Sequence, residues 1–321
     1  DLAYTTQLVK PDVACVLNIG TAHLGEFGGR DNIAKTKSEI YQGLSDTGTA
    51  IVPFGDDYFD TLLNNAQQFT QNILTFGERD VSLADAGVDM QQAKEIGLTD
   101  EDTVLLMGDV FADDVEVGNT STFSLNFNFE IDEIESQNVT LNFAGEHNIS
   151  NALAAAACAQ ALGLSIDDIA KGLDTAKPAK GRLNFIEFGK HTLIDDTYNA
   201  NPSAVLAATQ VLASQGAPTM LVLGDIGELG DAAQEEHRKL GETIAASGVT
   251  VLYTVGELTP VTVAQAQASG MQAQAYPDKA SLLAAIKDKL ASSDDAWHIL
   301  FKGSRYMMME QVIDELTRQP F

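Results

Sequence analysis

Short apolar runs alternate along the chain with segments whose apolar positions recur at helical spacing, the pattern of successive βαβ units and a parallel sheet. Near the start, Val13–Ile19 predicts a buried strand, Asp31–Leu44 a helix with Asp31 as its cap, and Thr49–Phe54 the next strand. Residues 55–140 are less regular. Strand candidates at Asn72–Phe76, Thr122–Phe129 and Val139–Phe143 stand between acidic loops, which predicts an antiparallel edge or subdomain. Asn148–Leu162 is Ala-rich and helical, and Ser165–Asp174 gives a further helix whose Ser-x-x-Asp start supplies a cap. Lys177–Gly181, with its proline and glycine, reads as a hinge, so one domain is expected over residues 1–182 and a second over 183–321. Past the hinge the alternation is cleaner. Strands are predicted at Thr192–Asp196, Thr219–Gly224, Thr250–Val255 and His298–Lys302. Helices are predicted at Pro202–Ser214, Asp231–Ala246, Leu258–Ala268, Lys279–Leu290 and Tyr306–Thr317, which makes the second domain doubly wound.

Composition narrows the class. A chain of 321 residues with 45% hydrophobic content can bury the cores of two ordinary globular domains. Nineteen Lys+Arg against 46 Asp+Glu give a net charge of −27, which repels nucleic acid and anionic membrane and excludes both as expected partners. No apolar run reaches the length of a membrane span, and there is no signal-peptide core. Cys15 and Cys158 lie in apolar segments with neither metal-ligand spacing nor a disulfide framework, which predicts a reducing cytoplasm. A chain that opens on Asp1-Leu2-Ala3-Tyr4 is expected to be processed or truncated.

Several residues are chemically out of place. On a regular helix, Ile33, Lys37, Ile40, Tyr41 and Leu44 share a stripe that Lys35 leaves. A charge in such a stripe is costly, so Lys37 must be paired, neutralised or modified, unless it snorkels to the edge of the core. His23 follows the Val13–Ile19 strand, where the carboxyl ends of parallel strands present ligand-binding groups; a structural histidine is the competing account. Asn148 and Asn151 share a helix face, and their carboxamides suit the edge of a purine; capping would account for Asn148 but not for Asn151. Arg182 after the hinge suits a phosphate. Asp195 and Asp196 end a strand and precede Tyr198, Asn199 and Asn201, with Asn201 as cap and Pro202 at the first helical position. In Gly224–Gly230, again between strand and helix, Asp225 or Glu228 could bind an ammonium group, while Lys302-Gly303-Ser304-Arg305 suits a carboxylate or phosphate. The run Met307–Met309 reads as packing.

Taken in order, Ala22-His23-Leu24, Ala34–Ile40, Gly145–Leu153, Asp195–Pro202 and Lys302–Arg305 resemble the Mur ligases, the ATP-dependent amide ligases of peptidoglycan precursor synthesis. The likeness runs from about Lys10 to Asp314, with Gly55–Val139 matching poorly, and small departures stand at Ile226 and Gly29. The resemblance implies a central ATPase-type domain with a mainly parallel sheet, followed by a Rossmann-like ligase domain. Among Mur ligases the motifs are most similar to those of the branch that adds D-Ala-D-Ala to UDP-MurNAc-tripeptide through an acyl phosphate, in the cytoplasm and as a monomer. It implies ATP and Mg2+ as cofactors, with Lys37 carbamylated and, together with His23, both catalytic and holding magnesium. Asn148, Asn151, Tyr198 and Asn199 would surround adenine and ribose, Arg182 and Asp196 would serve phosphates and ribose, and Asp225, Glu228, Lys302 and Arg305 would line the D-Ala-D-Ala end. Closure of the second domain over the first would deliver the amine. No stretch of the 321 residues fits the phosphate loop Gly-x-x-x-x-Gly-Lys-Ser/Thr, so the chain is expected to lack an N-terminal UDP-binding domain and that loop, and to be inactive alone. A folylpolyglutamate synthase-like amide ligase and a non-catalytic binding module are the alternatives.

Overall fold

The computed structural model describes residues 2–21, 27–83, 86–89, 91, 94, 98, 99, 102–130, 133–216 and 218–318. They form two compact units. One comprises residues 1–19, 30–142 and 146–176, the other residues 20–29, 143–145 and 177–321, so the main division falls after Ala176.

The first unit runs α1 (Leu2–Val9), β1 (Val13–Cys15), α2 (Arg30–Ser38), β2 (Thr49–Pro53), α3 (Phe59–Ala66), β3 (Asn72–Phe76), β4 (Glu78–Ser82), β5 (Thr103–Met107), β6 (Val110–Glu116), β7 (Ser121–Glu130), β8 (Glu133–Leu141), α4 (Glu146–Ala161) and α5 (Ile166–Thr175). Its six-stranded sheet has the order β1-β2-β3-β6-β7-β8. The apolar strands β1, β2 and β3 pair in parallel, as near-continuous hydrophobic runs require when both faces are covered. β3 meets β6 in parallel at Phe76 and Val110, after which β6, β7 and β8 are antiparallel. Residues 55–140 therefore carry an antiparallel edge, but they also contribute α3 and the parallel strand β3. β4 and β5 pair separately. The strand predicted over Val13–Ile19 ends at Cys15. The helix predicted from Asp31 begins at Arg30 and stops at Ser38, where a 3₁₀ turn, Glu39–Gly43, takes over. Asp31 is not its cap: it lies in the first turn, and its carboxylate accepts the Tyr58 hydroxyl at 2.6 Å. Ser165 does cap α5, accepting from the Asp168 amide. The sequence offers no reason to pair the two cysteines, yet Cys15 of β1 and Cys158 of α4 are neighbours whose thiols shift each other's titration, the Cys15 thiol being pushed up by Cys158 and by burial.

The second unit contains β9 (Asn184–Phe188), β10 (His191–Asp196), α6 (Pro202–Ser214), β11 (Thr219–Gly224), α7 (Ala233–Ala246), β12 (Val251–Val255), α8 (Thr259–Ala268), β13 (Gln272–Tyr276), α9 (Lys279–Ala291), β14 (His298–Lys302) and α10 (Glu310–Arg318). The strand order is β13-β12-β11-β14-β10-β9, parallel throughout except for β9. Both faces are packed. Leu221, Leu223, Leu252, Ile194 and Leu300 belong to one core with Val205, Leu240 and Val263 from α6, α7 and α8. Met220, Val222, Val251, Ile299 and Phe301 belong to a second core with Leu282, Ile286, Val312 and Leu316 from α9 and α10. The alternation of neighbours between the two cores is the two-residue period of a strand, and burial of each such side chain contributes about 1.5–3 kcal/mol. Among the described residues no helix is long and apolar enough to cross a membrane.

Candidate functional site

In the second unit the chain leaves β11 toward β12 and β13, then returns to insert β14 between β11 and β10. The carboxyl ends of those neighbouring strands gather Asp195-Asp196, Gly224-Asp225 and Lys302-Gly303 at one edge of the sheet. Ligands of open α/β sheets bind beyond such strand ends, where the strand order reverses. Close approach demands glycine here: a Cβ on Gly303 would lie 3.2 Å from the Gly224 Cα and 2.8 Å from Met309.

Lys302 is buried, with 1% exposure. Its ammonium donates to Asp196 Oδ2 at 2.6 Å, to the Asn199 carbonyl at 3.0 Å and to the Asp196 carbonyl at 3.5 Å. Those acceptors use all three ammonium protons, so Lys302 does not line a ligand-facing surface as expected. Burial pushes the Asp196 carboxyl up and the Lys302 ammonium down, each opposed by the charge of the other. Asp196 Oδ1 also accepts the Leu183 amide at 3.3 Å, so no oxygen of this carboxylate is turned wholly outward. Asp195 accepts from the Thr197 hydroxyl and amide, closing the turn after β10.

Asp225 has an equally definite occupation. Its carboxylate accepts the amides of Glu257, Leu258 and Thr259 at 2.7–3.0 Å, satisfying the first turn of α8. This use of the side chain conflicts with the expected ammonium binding. His237, which gave no signal in the sequence, is fully buried in α7; its Nδ1 lies 2.8 Å from the Ala233 carbonyl, leaving Nε2 to accept the Ile226 amide. Ser304 Oγ accepts the Gly227 amide at 2.7 Å. The loop after β11 is thus pinned from α7 and from the loop after β14. Groups that reach solvent at this edge include Tyr198, Asn199, Arg182, Glu228 and Arg305. The Arg182 guanidinium stacks over the Tyr198 ring at 4.4 Å. Glu228 adopts a left-handed φ of +63°, and Arg305 pairs with Glu310.

The first unit has its own concavity, a cavity of about 450 Å³ at the carboxyl ends of β1, β2 and β3. Asn18, Pro53, Asp56, Gly77, Glu146 and Ser150 are among its lining residues, the last two from the opening turns of α4. Lys37 reaches Asn18, donating to its carbonyl at 3.0 Å. Burial holds the Lys37 amine below its ordinary pKa, with Asp56 opposing the shift. Asp56, missed in the sequence, ties the loop after β1 to the loop after β2 by accepting the Ile19 amide at 2.7 Å and the Tyr58 amide at 2.9 Å. Asn148 and Asn151 touch through their carboxamides at 3.3 Å. At 100° per residue they stand on the side of α4 opposite the cavity-lining Glu146, Ile149, Ser150 and Leu153. Asn148 is inside a helix that starts at Glu146 and is not its cap. His23 lies outside the described residues.

Both α/β units match known domains. Residues 1–159 match the Mur ligase middle domain and residues 181–305 the Mur ligase, glutamate ligase domain, and the chain belongs to the Mur ligase family. The UDP-N-acetylmuramoyl-tripeptide–D-alanyl-D-alanine ligase of Escherichia coli is 33% identical over 98% of this chain and 62% of its own length. A crystal structure of MurF from Acinetobacter baumannii superposes with a TM-score of 0.82 at 39% identity, covering 99% of this chain and 62% of that one. MurF of Thermotoga maritima in complex with ADP shares the fold at 23% identity and a TM-score of 0.71, over 98% of this chain and 64% of that one. The chain spans about three fifths of the length of the relatives it matches.

Proposed function

We propose that this chain carries amide-ligase machinery that joins D-Ala-D-Ala to UDP-MurNAc-tripeptide at the expense of ATP. What carries the reading is the convergence of three strand-end motifs on one sheet edge, in a chain 39% identical to a MurF. ATP enters by the same route, since a MurF relative was solved with ADP.

In the proposed reaction an oxygen of the tripeptide carboxylate attacks the γ-phosphorus and ADP leaves. The amine nitrogen of D-Ala-D-Ala then attacks the acyl carbon, loses its proton, and phosphate departs with the carboxylate oxygen. The work is positioning and charge neutralisation. Arg182 offers a planar donor to phosphate oxygens, with Tyr198 as its stacking partner. Asn148 and Asn151 offer donor and acceptor to a purine edge. Glu228 and Arg305, exposed and opposite in charge, suit the ammonium and carboxylate of the dipeptide.

Magnesium fits less directly. Among the described residues no three of His, Cys, Asp and Glu stand together as a metal site. Magnesium usually rides on substrate phosphates with one or two protein oxygens, and a carbamate on Lys37 would add such an oxygen. Burial holds the half-buried amine below its ordinary pKa, the direction that favours attack of its nitrogen on carbon dioxide.

The test is phosphate release by the ligase of the full reading frame, with ATP, magnesium and UDP-MurNAc-tripeptide. Stimulation by D-Ala-D-Ala is expected. Stimulation by a glutamate-type amine instead would assign another amide ligase, and none by any amine would leave a binding module.

A further inference from the structure

We propose that Lys302 is a positioning residue, a buried clasp that sets the Arg182–Tyr198 stack without touching any substrate; for its effect on turnover this rests on the ligase reading above. Arg182 sits between two ties, one to a side chain and one to the backbone. The Leu183 amide donates to Asp196 Oδ1 at 3.3 Å, and the Gly181 carbonyl accepts the Tyr198 amide at 3.0 Å. The guanidinium and the ring therefore project from two strands of chain laced together on both sides of Arg182, and they meet at 4.4 Å. The lacing tolerates no side chain at Gly181, where φ is +75° and a Cβ would lie 3.0 Å from the Tyr198 nitrogen.

Lys302 fixes this pair of strands from behind. It holds Asp196 by both carboxylate and carbonyl and holds Asn199 by its carbonyl, so the two residues flanking Thr197 and Tyr198 share one ammonium. Asn199 is tied a second time, its Oδ1 accepting the Arg305 amide at 3.4 Å. Removing the ammonium would free the turn that carries Tyr198, and with it the ring on which Arg182 rests. Tyr198 is 52% exposed, so its ring is held chiefly by the turn that carries it and by Arg182.

The experiment compares the wild type with Lys302→Met, with Asp196→Asn/Lys302→Met, which removes both charges and leaves no orphaned carboxylate, and with Lys302→Gln as a further reference if the double variant does not fold. One readout needs no turnover: in labelled protein, the Arg182 Nε–H proton is expected to resonate upfield, because the guanidinium lies over the Tyr198 ring, with Tyr198→Leu defining the unstacked position. The shift is expected to move to that position in the folded Lys302 variants. An unchanged shift in a folded Lys302 variant overturns the clasp. The second readout is kinetic, in the full-reading-frame ligase. KM for ATP is expected to rise about tenfold or more while KM for D-Ala-D-Ala stays within about twofold. A rise confined to D-Ala-D-Ala would put Lys302 at the amine end and overturn the proposal. If the wild type itself fails to turn over, the ligase reading fails while the resonance shift still decides the clasp.

Discussion

An ammonium buried as deeply as that of Lys302 persists only because Asp196 and two carbonyls meet it. Deleting one member of such a pair strands the other charge. Lys302→Met is therefore expected to cost about 3–5 kcal/mol in urea unfolding, and the double variant with Asp196→Asn to recover most of that. A single-variant loss below about 1 kcal/mol would show that the pair is not desolvated as described. The sequence put Lys302 and Arg305 side by side as ligand cations, because composition and strand-to-helix placement are the same for both. Only the fold separates them: Lys302 ends the central strand β14 with its tail under the turn after β10, whereas Arg305 emerges beyond it. Asp225 was misleading for a related reason, since its three amide partners come from Glu257–Thr259, over thirty residues away. Lys37 was legible as an anomaly from its apolar neighbours, though its stripe breaks at Ser38.

Elements were legible where a cap or a strand pattern is local. Pro202–Ser214 was readable to the residue because Asn201 accepts the Ala204 amide and Pro202 follows it. β13, with polar residues alternating through Gln272–Tyr276, lacks the apolar run that marks the buried strands, and in β9, an antiparallel edge, Glu187 interrupts Phe185, Ile186 and Phe188. The helix predicted from Tyr306 begins instead at Glu310, because a 3₁₀ turn and the left-handed Met308, at φ +45°, intervene. α8 depends on a cap supplied from outside its own sequence. Asp225→Ala is expected to cost about 1–2 kcal/mol and to speed amide exchange in the first turn of α8; exchange unchanged there would contradict the capping role. β10 carries a pH-sensitive joint. The Trp297 amide donates to His191 Nδ1 at 3.1 Å, and burial, helped by Lys190, holds the imidazole below its usual pKa. The unfolded chain binds this proton more tightly than the folded one, so stability is intact above about pH 6.5 and falls as the pH drops below it. The urea midpoint lost between about pH 7.5 and 5.5 should shrink in His191→Asn; an unchanged loss would remove His191 from the account.

At the scale of the molecule, the doubly wound unit was foreseeable from alternation alone, whereas the first unit was only partly so. Its mixed sheet joins a parallel half to an antiparallel half through the single Phe76–Val110 pairing, a contact with no counterpart in local pattern. The acidic surface bears on association more than on fold: at a net charge of −27, the anionic substrates of the proposed reaction would be drawn in only where local cations such as Arg182 and Arg305 oppose the field. Their binding should therefore tighten as added salt screens that repulsion, most clearly in KM for the nucleotide; a KM independent of salt would contradict this. In the proposed reaction a carboxylate is activated as an acyl phosphate before an amine displaces phosphate. This activation is tested by supplying UDP-MurNAc-tripeptide labelled with heavy oxygen in its terminal carboxylate to the full-reading-frame ligase with ATP and D-Ala-D-Ala, and weighing the released phosphate. Label is expected to pass from the carboxylate into phosphate in step with the new amide bond. Phosphate that carries no label would mean that water, not the carboxylate, takes the phosphoryl group, and would contradict the proposed reaction.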